Sequence, residues 1–478
     1  MTDPKDDAPN TGQLRAGALG TAAITFFVVS AAGPLVAIAG GIPLGMMFGN
    51  GPGIPAAYLV VVAVLLAFSV GYTAMASHVR NAGAFYAFTA QGLGPVAGGA
   101  AAMIAVVAYN AMQIGIYGMF GQACSALLSS TLGVGIPWWA SAYAAIAFIA
   151  VCGYRQIDIS AKILGALVVG EYLCVLALDG FILAKGPEAG INVAPFTPSA
   201  FLTGSPAIGL LFCFASFIGF EATTIYAEEV KDPRRSVPLA TYASVLLIGG
   251  FYAFTTWCMV LGLGAGNVVS FIKGLADPTE LLFLLSDRYA NAGLTLALRL
   301  LFVTSVFAGL LAFHNAVARY FFALGRDRLL PVWLGAAHPK HQSPHRGSVA
   351  QSVLAVAVVT AFAIGGADPI LTLFSWLTNV GTLGVLALMA LTSFAVPAFF
   401  RRRPELTEGG LTTTVAPIVA GLGLVGAMTL AVLNFDLLTG ASKWLASALP
   451  FTLLAAAVVG AGLALRLKRR PADVAAIA

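Results

Sequence analysis

Twelve apolar runs, most of them about as long as a bilayer is thick, leave this chain few structures to adopt. They lie near residues 19–47, 55–78, 96–130, 137–153, 160–184, 206–227, 239–265, 293–323, 349–366, 370–398, 412–434 and 446–466. The run PAAYLVVVAVLLAFSVGYTAMASH (55–78) holds no Asp, Glu, Lys or Arg. Hydrocarbon offers backbone amides no partner, so such a segment satisfies them internally as a helix. Only 9% of residues are charged and mean hydropathy is +0.90, whereas a soluble domain carries about 25% charge. Lipid is therefore the solvent for most of the surface. The expected fold class is an all-α polytopic membrane protein of about twelve transmembrane helices.

The charges that do exist are distributed unevenly. With the N-terminus in the cytoplasm, about twenty of the 25 Lys and Arg residues fall on the cytoplasmic side, as the positive-inside rule expects. They include Arg80, Arg155, Arg234, Arg235, Arg326, Arg328 and Arg401 to Arg403. Both termini are then cytoplasmic in a cell (plasma or inner) membrane, as tails over 1–18 and 468–478. The net charge of +5 reads as topology and lipid-headgroup contact, not as nucleic-acid binding. The polar, acidic start MTDPKDDAPNTGQLRAG lacks the pattern of a signal peptide. Five cysteines stand singly in apolar stretches without CxxC spacing, so they read as small packing residues with no metal or cofactor role.

Two runs contain helix breakers near mid-depth. The first holds SAAGPLVAIAGGIP, residues 30–43, where Pro34 lacks a donor and Gly33, Gly40 and Gly41 weaken the helix. The sixth holds Ser216, Gly219 and the carboxylate of Glu221. First and sixth are corresponding places in two five-helix halves, which is the sequence pointer to an inverted-repeat transporter. The plainer alternative is a proline kink in one helix and a packing glycine in the other. In the third run Asn110, Gln113 and Tyr117 recur at i, i+3 and i+7, a polar stripe that faces either a substrate cavity or a neighbouring helix.

Three loop motifs carry a resemblance. HVRNAGAFYAFTAQGLG (78–94), GFEATTIYAEEVKDPRRSVPLA (219–240) and RYFFALGRDRLLPVWLGAAHPKHQSPHRG (319–347) stand in the order and spacing seen in amino acid–polyamine–organocation (APC) permeases. The chain resembles that superfamily over nearly its whole length. The resemblance implies a LeuT-like 5+5 inverted repeat with discontinuous helices one and six. The core would then cover 19–400, in halves of about 19–185 and 206–400, with helices eleven and twelve over 401–467. It also implies a substrate site at the unwound centres, here Ser30, Ala31, Ala32, Gly33 and Pro34, and Ser216, Phe217, Ile218, Gly219 and Phe220. Many amino-acid carriers of the superfamily have Gly-Ser-Gly in helix one. The Ser-Ala-Ala-Gly-Pro found here looks more like the polyamine and amine branch.

Charged groups within the runs are the candidates for coupling and gating. An intramembrane carboxylate such as Glu221 can change protonation with its surroundings, or it can simply bond a neighbouring helix. Lys162, in ISAKILGALVVG, matches a superfamily lysine whose ammonium takes the place of sodium in related carriers; a lysine there can also snorkel to headgroups. Glu171, nine residues on, can attract an amine or satisfy a polar neighbour. The expected function is secondary active import of an amino acid or small amine, proton-coupled and sodium-independent, by a monomer or homodimer in membrane lipid. An exchanger without net proton flux is the alternative, with a sensor or channel behind it. The spans hold no HExxH or GxSxG motif that would suggest an enzyme.

Overall fold

The computed structural model describes residues 21–31, 33–79, 84–155, 161–187, 190–221, 223, 232–406, 408–439 and 443–468. Among them every regular element is helical. Nine helices among the described residues are long and apolar enough to cross a membrane: Gly51–Ala76, Pro95–Leu132, Ile163–Lys185, Arg234–Leu263, Ala292–Arg326, His345–Ile364, Pro369–Arg401, Leu411–Leu433 and Trp444–Leu467. Trp138–Arg155 lies between the second and third of these. Two shorter apolar helices, Val36–Phe48 and Pro206–Ala215, belong to the first and sixth spans. Numbered along the chain, these elements are twelve spans in the expected order, with one and six discontinuous.

Length and termination follow from local chemistry. Span three, Pro95–Leu132, starts with Pro95, whose missing N–H costs nothing in a first turn. It ends at Gly133, with φ +66°. There the N–H of Gly133 donates to Ser129 and that of Val134 to Leu128, at 3.1 and 3.4 Å, a Schellman stop that only glycine enters freely. At 38 residues the helix is about 57 Å long, well beyond what a bilayer requires. One surprise is Ala84–Leu93, a helix where the sequence pattern suggests a loop. It packs beside span ten, and Gly92 meets the backbone of Ala395 there.

Small residues let the spans approach closely, as they must where lipid removes the hydrophobic drive between helices. A Cβ on Gly115 of span three would sit 2.8 Å from the Thr378 methyl of span ten, and one on Gly381 would sit 2.8 Å from the Ala108 carbonyl oxygen. Spans three and twelve meet at Gly99 and Gly460 in the same manner. The second part of span one lies antiparallel to the helix of span six. Gly45 faces Phe212, Gly49 lies against Gly209, and the Ser205 N–H donates to the Gly49 carbonyl at 3.0 Å. Running antiparallel in that register, the two chains reach their interruptions, at 33–36 and 216–221, toward the same end of the paired helices.

Candidate functional site at the two interruptions

Span one is helical over Thr21–Ala31, then turns at Gly33, where φ is +52°. Helix resumes at Pro34, passes through a π-helical run, Val36–Gly41, and continues as Ile42–Phe48. An L side chain in the left-handed region costs about 1–2 kcal/mol, so glycine is the residue this turn requires. Pro34 suits the restart, because a first-turn residue needs no N–H. The next N–H, that of Leu35, would otherwise be an orphan donor. It donates to Glu171 Oε2 of span five at 3.3 Å, and the same oxygen accepts from the Ser305 hydroxyl of span eight at 2.8 Å. Glu171 is 1% exposed. A carboxylate at the positive end of the restarting half-helix is favourably placed, and it ties spans one, five and eight together.

Span six repeats the device with different residues. Its helix ends at Ala215, and the chain runs on through tight i→i−3 turns: Phe217 to Phe214, Ile218 to Ala215 and Phe220 to Phe217. Gly219 has φ +111°, a conformation that L residues avoid. Its freed N–H donates to Glu221 Oε2 at 2.8 Å. Tyr109 of span three donates to the other carboxylate oxygen at 2.8 Å, and Tyr72 of span two donates to the Glu221 carbonyl at 3.2 Å. Glu221 therefore stands beside the glycine because the unwound backbone needs an acceptor there. Tyr109 in turn stacks on Tyr320 of span eight, ring centroids 5.4 Å apart.

The other expected residues fall into two groups. Ser216 exchanges a 2.8 Å hydrogen bond with Tyr58 of span two, whose ring packs on Tyr252 of span seven. Phe217, Ile218 and Phe220 line a small cavity with Phe214, Leu65 of span two, and Thr382, Val385, Leu386 and Met389 of span ten. Phe220 meets Phe68 edge to face at 6.0 Å, so its ring turns toward spans two and ten rather than toward span one. In the span-three stripe, Gln113 bonds Tyr117, the Leu310 carbonyl and His314 of span eight. His314 continues to Ser348 of span nine at 2.7 Å. Asn110 donates to Val106 at 2.7 Å, and its Oδ1 is buried without a partner among the described residues. Ala32, the side chains of Ser30, Ala31 and Lys162, and the span-six exit with Glu228, Glu229 and Lys231 lie outside the described residues.

Sequence reasoning missed Ser305, Tyr109 and Tyr72. Tyr109 adjoins the stripe read from Asn110 but points about 100° away from it. Ser305 and Tyr72 are ordinary membrane-helix residues whose partners only the fold reveals. Asp179, a lone acid in the fifth run (LALDGF), carried a signal that the reading passed over, because an intramembrane carboxylate is seldom idle. No group of three or more His, Cys, Asp or Glu among the described residues is arranged to hold a metal ion.

Comparison with known proteins places these features in context. The model of the family described as "Amino acid permease" matches residues 19–460. The branched-chain amino acid permease BcaP of Bacillus subtilis is 26% identical over 406 residues, 81% of this chain and 82% of that one. The low-affinity putrescine importer PlaP of Escherichia coli is 24% identical over 323 residues, 65% of this chain and 67% of that one. Among solved structures, a mutant of the manganese transporter of Eremococcus coleocola superposes with a TM-score of 0.54 at 13% identity, covering 97% of each chain. That likeness speaks for the LeuT-like fold alone.

Proposed function

We propose a transport cycle for this chain, which belongs to the amino acid permease family and so to the amino acid–polyamine–organocation superfamily. The chain imports an amino acid or small amine by alternating access, driven by protons and independent of sodium. It does so from a cell membrane in which both its termini are cytoplasmic. One observation carries the reading: each interruption has a buried carboxylate bonded to a backbone N–H that the unwinding frees.

The substrate's ammonium enters at the level of the two breaks. The final carbonyls of Thr21–Ala31 form the negative end of a half-helix and accept from it. The relatives' named cargoes, branched-chain amino acids and putrescine, share that ammonium and differ in whether a carboxylate accompanies it. Glu171 and Glu221 each choose among three partners: a backbone N–H, the arriving cation, or a proton. When either carboxylate changes partner, the N–H it held is released and the shape of its break changes. Binding and protonation thereby act on the elements that must rearrange between outward and inward states. Sodium fits this donor set poorly, since a hard cation wants about six oxygens and Ser305, the nearest hydroxyl of span eight, is already committed to Glu171. The match of Lys162 to the superfamily lysine supports the same conclusion.

Purified protein in proteoliposomes tests this. A more acidic exterior should accelerate uptake of labelled leucine or putrescine with no sodium present. Uptake that requires internal substrate and ignores the pH gradient would replace symport with exchange. Flux that neither saturates nor responds to substrate on the far side would overturn the carrier reading altogether.

A further inference from the structure

The cycle above leaves one intramembrane acid unused. Asp179 lies eight residues beyond Glu171 on span five, about 12 Å nearer the end that carries Lys185. It is 1% exposed. Thr255 of span seven donates to its Oδ2 at 2.7 Å, while its Oδ1 has no hydrogen-bond partner among the described residues. The helix around it buries Val175, Leu178 and Ile182.

Among the described residues the neighbouring elements supply no counter-ion. Span seven presents Cys258 to it, while Tyr252 of span seven and Tyr172 of span five lie nearer Glu171. The helix Leu281–Tyr289 brings Asp287, Arg288 and Tyr289 to the end of span five, where Lys185 donates to the Arg288 carbonyl. Tyr289 donates to Gly262, and Arg299 of span eight is held by Glu280. None of these groups bonds to Asp179 among the described residues. An ionised carboxylate so placed is costly, while a protonated one keeps the Thr255 bond and carries its hydrogen on the free Oδ1.

We propose that Asp179 is a proton-binding site distinct from Glu171, and that its occupancy sets whether spans five and seven stay in contact. The proton comes from water and returns to it, and no other group changes charge. With Asp179 protonated, the Thr255 contact closes over an apolar surround. Loss of the proton requires water at the carboxylate, and water reaches it only when the two spans part. The role of this movement in driving uptake rests on the proton-coupled reading above; the existence of the site does not.

Infrared difference spectroscopy of the reconstituted full chain, titrated in pH, tests the site itself. A carboxylic C=O stretch should be present in the native protein and in Glu171→Gln, and missing in Asp179→Asn. Thr255→Val keeps the side-chain shape and removes the one donor, so it should move the frequency of that stretch. Counterflow of leucine or putrescine at equal pH on both sides checks that the variants are folded and should persist in Asp179→Asn. Stimulation by a pH gradient should fall in that variant to about onefold. A native spectrum identical to that of Asp179→Asn overturns the site, as does a stretch that Thr255→Val leaves unmoved. If the stretch is confirmed but the native protein ignores the gradient, proton-driven import fails while the site stands. If Asp179→Asn keeps full gradient stimulation, the link from Asp179 to the drive fails while the transport reading stands.

Discussion

Gly33→Ala is the most informative single change. The residue has φ +52°, and forcing an L side chain there costs about 1–2 kcal/mol. Local packing adds little, since a Cβ would lie 3.2 Å from a Val36 methyl that needs to shift by a few tenths of an ångström. Alanine also favours continuous helix over glycine by about 1 kcal/mol. Together these effects shift the balance from interrupted to straight span one by about 2–3 kcal/mol. If only the interrupted form binds substrate, apparent affinity falls with the fraction of that form, by up to roughly 30- to 160-fold. Scintillation-proximity binding with labelled substrate measures this directly, and thermal stability recorded alongside separates it from unfolding. Gly309→Ala in span eight is the control, because that glycine sits in regular helix with nothing within 4 Å of the added carbon. The control should bind normally and be as stable or slightly more so. Normal affinity in Gly33→Ala would refute the reasoning, for it would mean that binding does not need the left-handed turn.

Tyr109→Phe should keep the stack on Tyr320 but take one hydrogen-bond donor from Glu221, costing about 1–3 kcal/mol; a lowered thermal midpoint with a shifted pH profile of uptake checks it. Glu221→Gln should abolish stimulation by a pH gradient while the protein still folds, because the amide oxygen can accept from Gly219 and the amide NH2 can donate to the Tyr109 hydroxyl, yet the group cannot take up a proton. Retention of the native pH profile in flux assays would remove Glu221 from coupling. Burial pushes the Asp277 carboxyl above its usual range, against hydrogen bonds from Thr279 and Gln122. Its contribution to stability is therefore complete below the ordinary aspartate range near about 4 and is lost as pH rises through the elevated value. Thermal midpoints across acidic to neutral pH should decline by that contribution, and Asp277→Asn should remove that part of the slope.

The breaks were legible in the sequence because their causes are local. Pro34 after Gly33, and Gly219 within an apolar run, disrupt helices by their own backbone chemistry wherever they stand. Glu221 was visible as a charge in lipid, but its purpose was not. That purpose depends on a Gly219 N–H two residues back and a Tyr109 hydroxyl in span three, and the second partner is a product of the fold. Glu171 shows the same limit. Helical phase relates it to Lys162 on its own span, yet its partners are Leu35 and Ser305, more than a hundred residues away in either direction. Phe220 shows a related limit: proximity to a break in the chain says nothing about which side of the bundle a ring faces, and the contact with Phe68 is a product of the fold. The helix Ala84–Leu93 escaped because a short element lying beside span ten lacks the length that marks a membrane span.

A high-resolution structure with bound substrate tests the central claim most directly. The account predicts the ammonium within hydrogen-bonding distance, about 3 Å, of carbonyls at the end of Thr21–Ala31 and in the turn 216–220, with Glu171 or Glu221 redirected from its backbone partner. Substrate bound elsewhere, with both carboxylates still on their N–H groups and both interruptions unchanged, would contradict it.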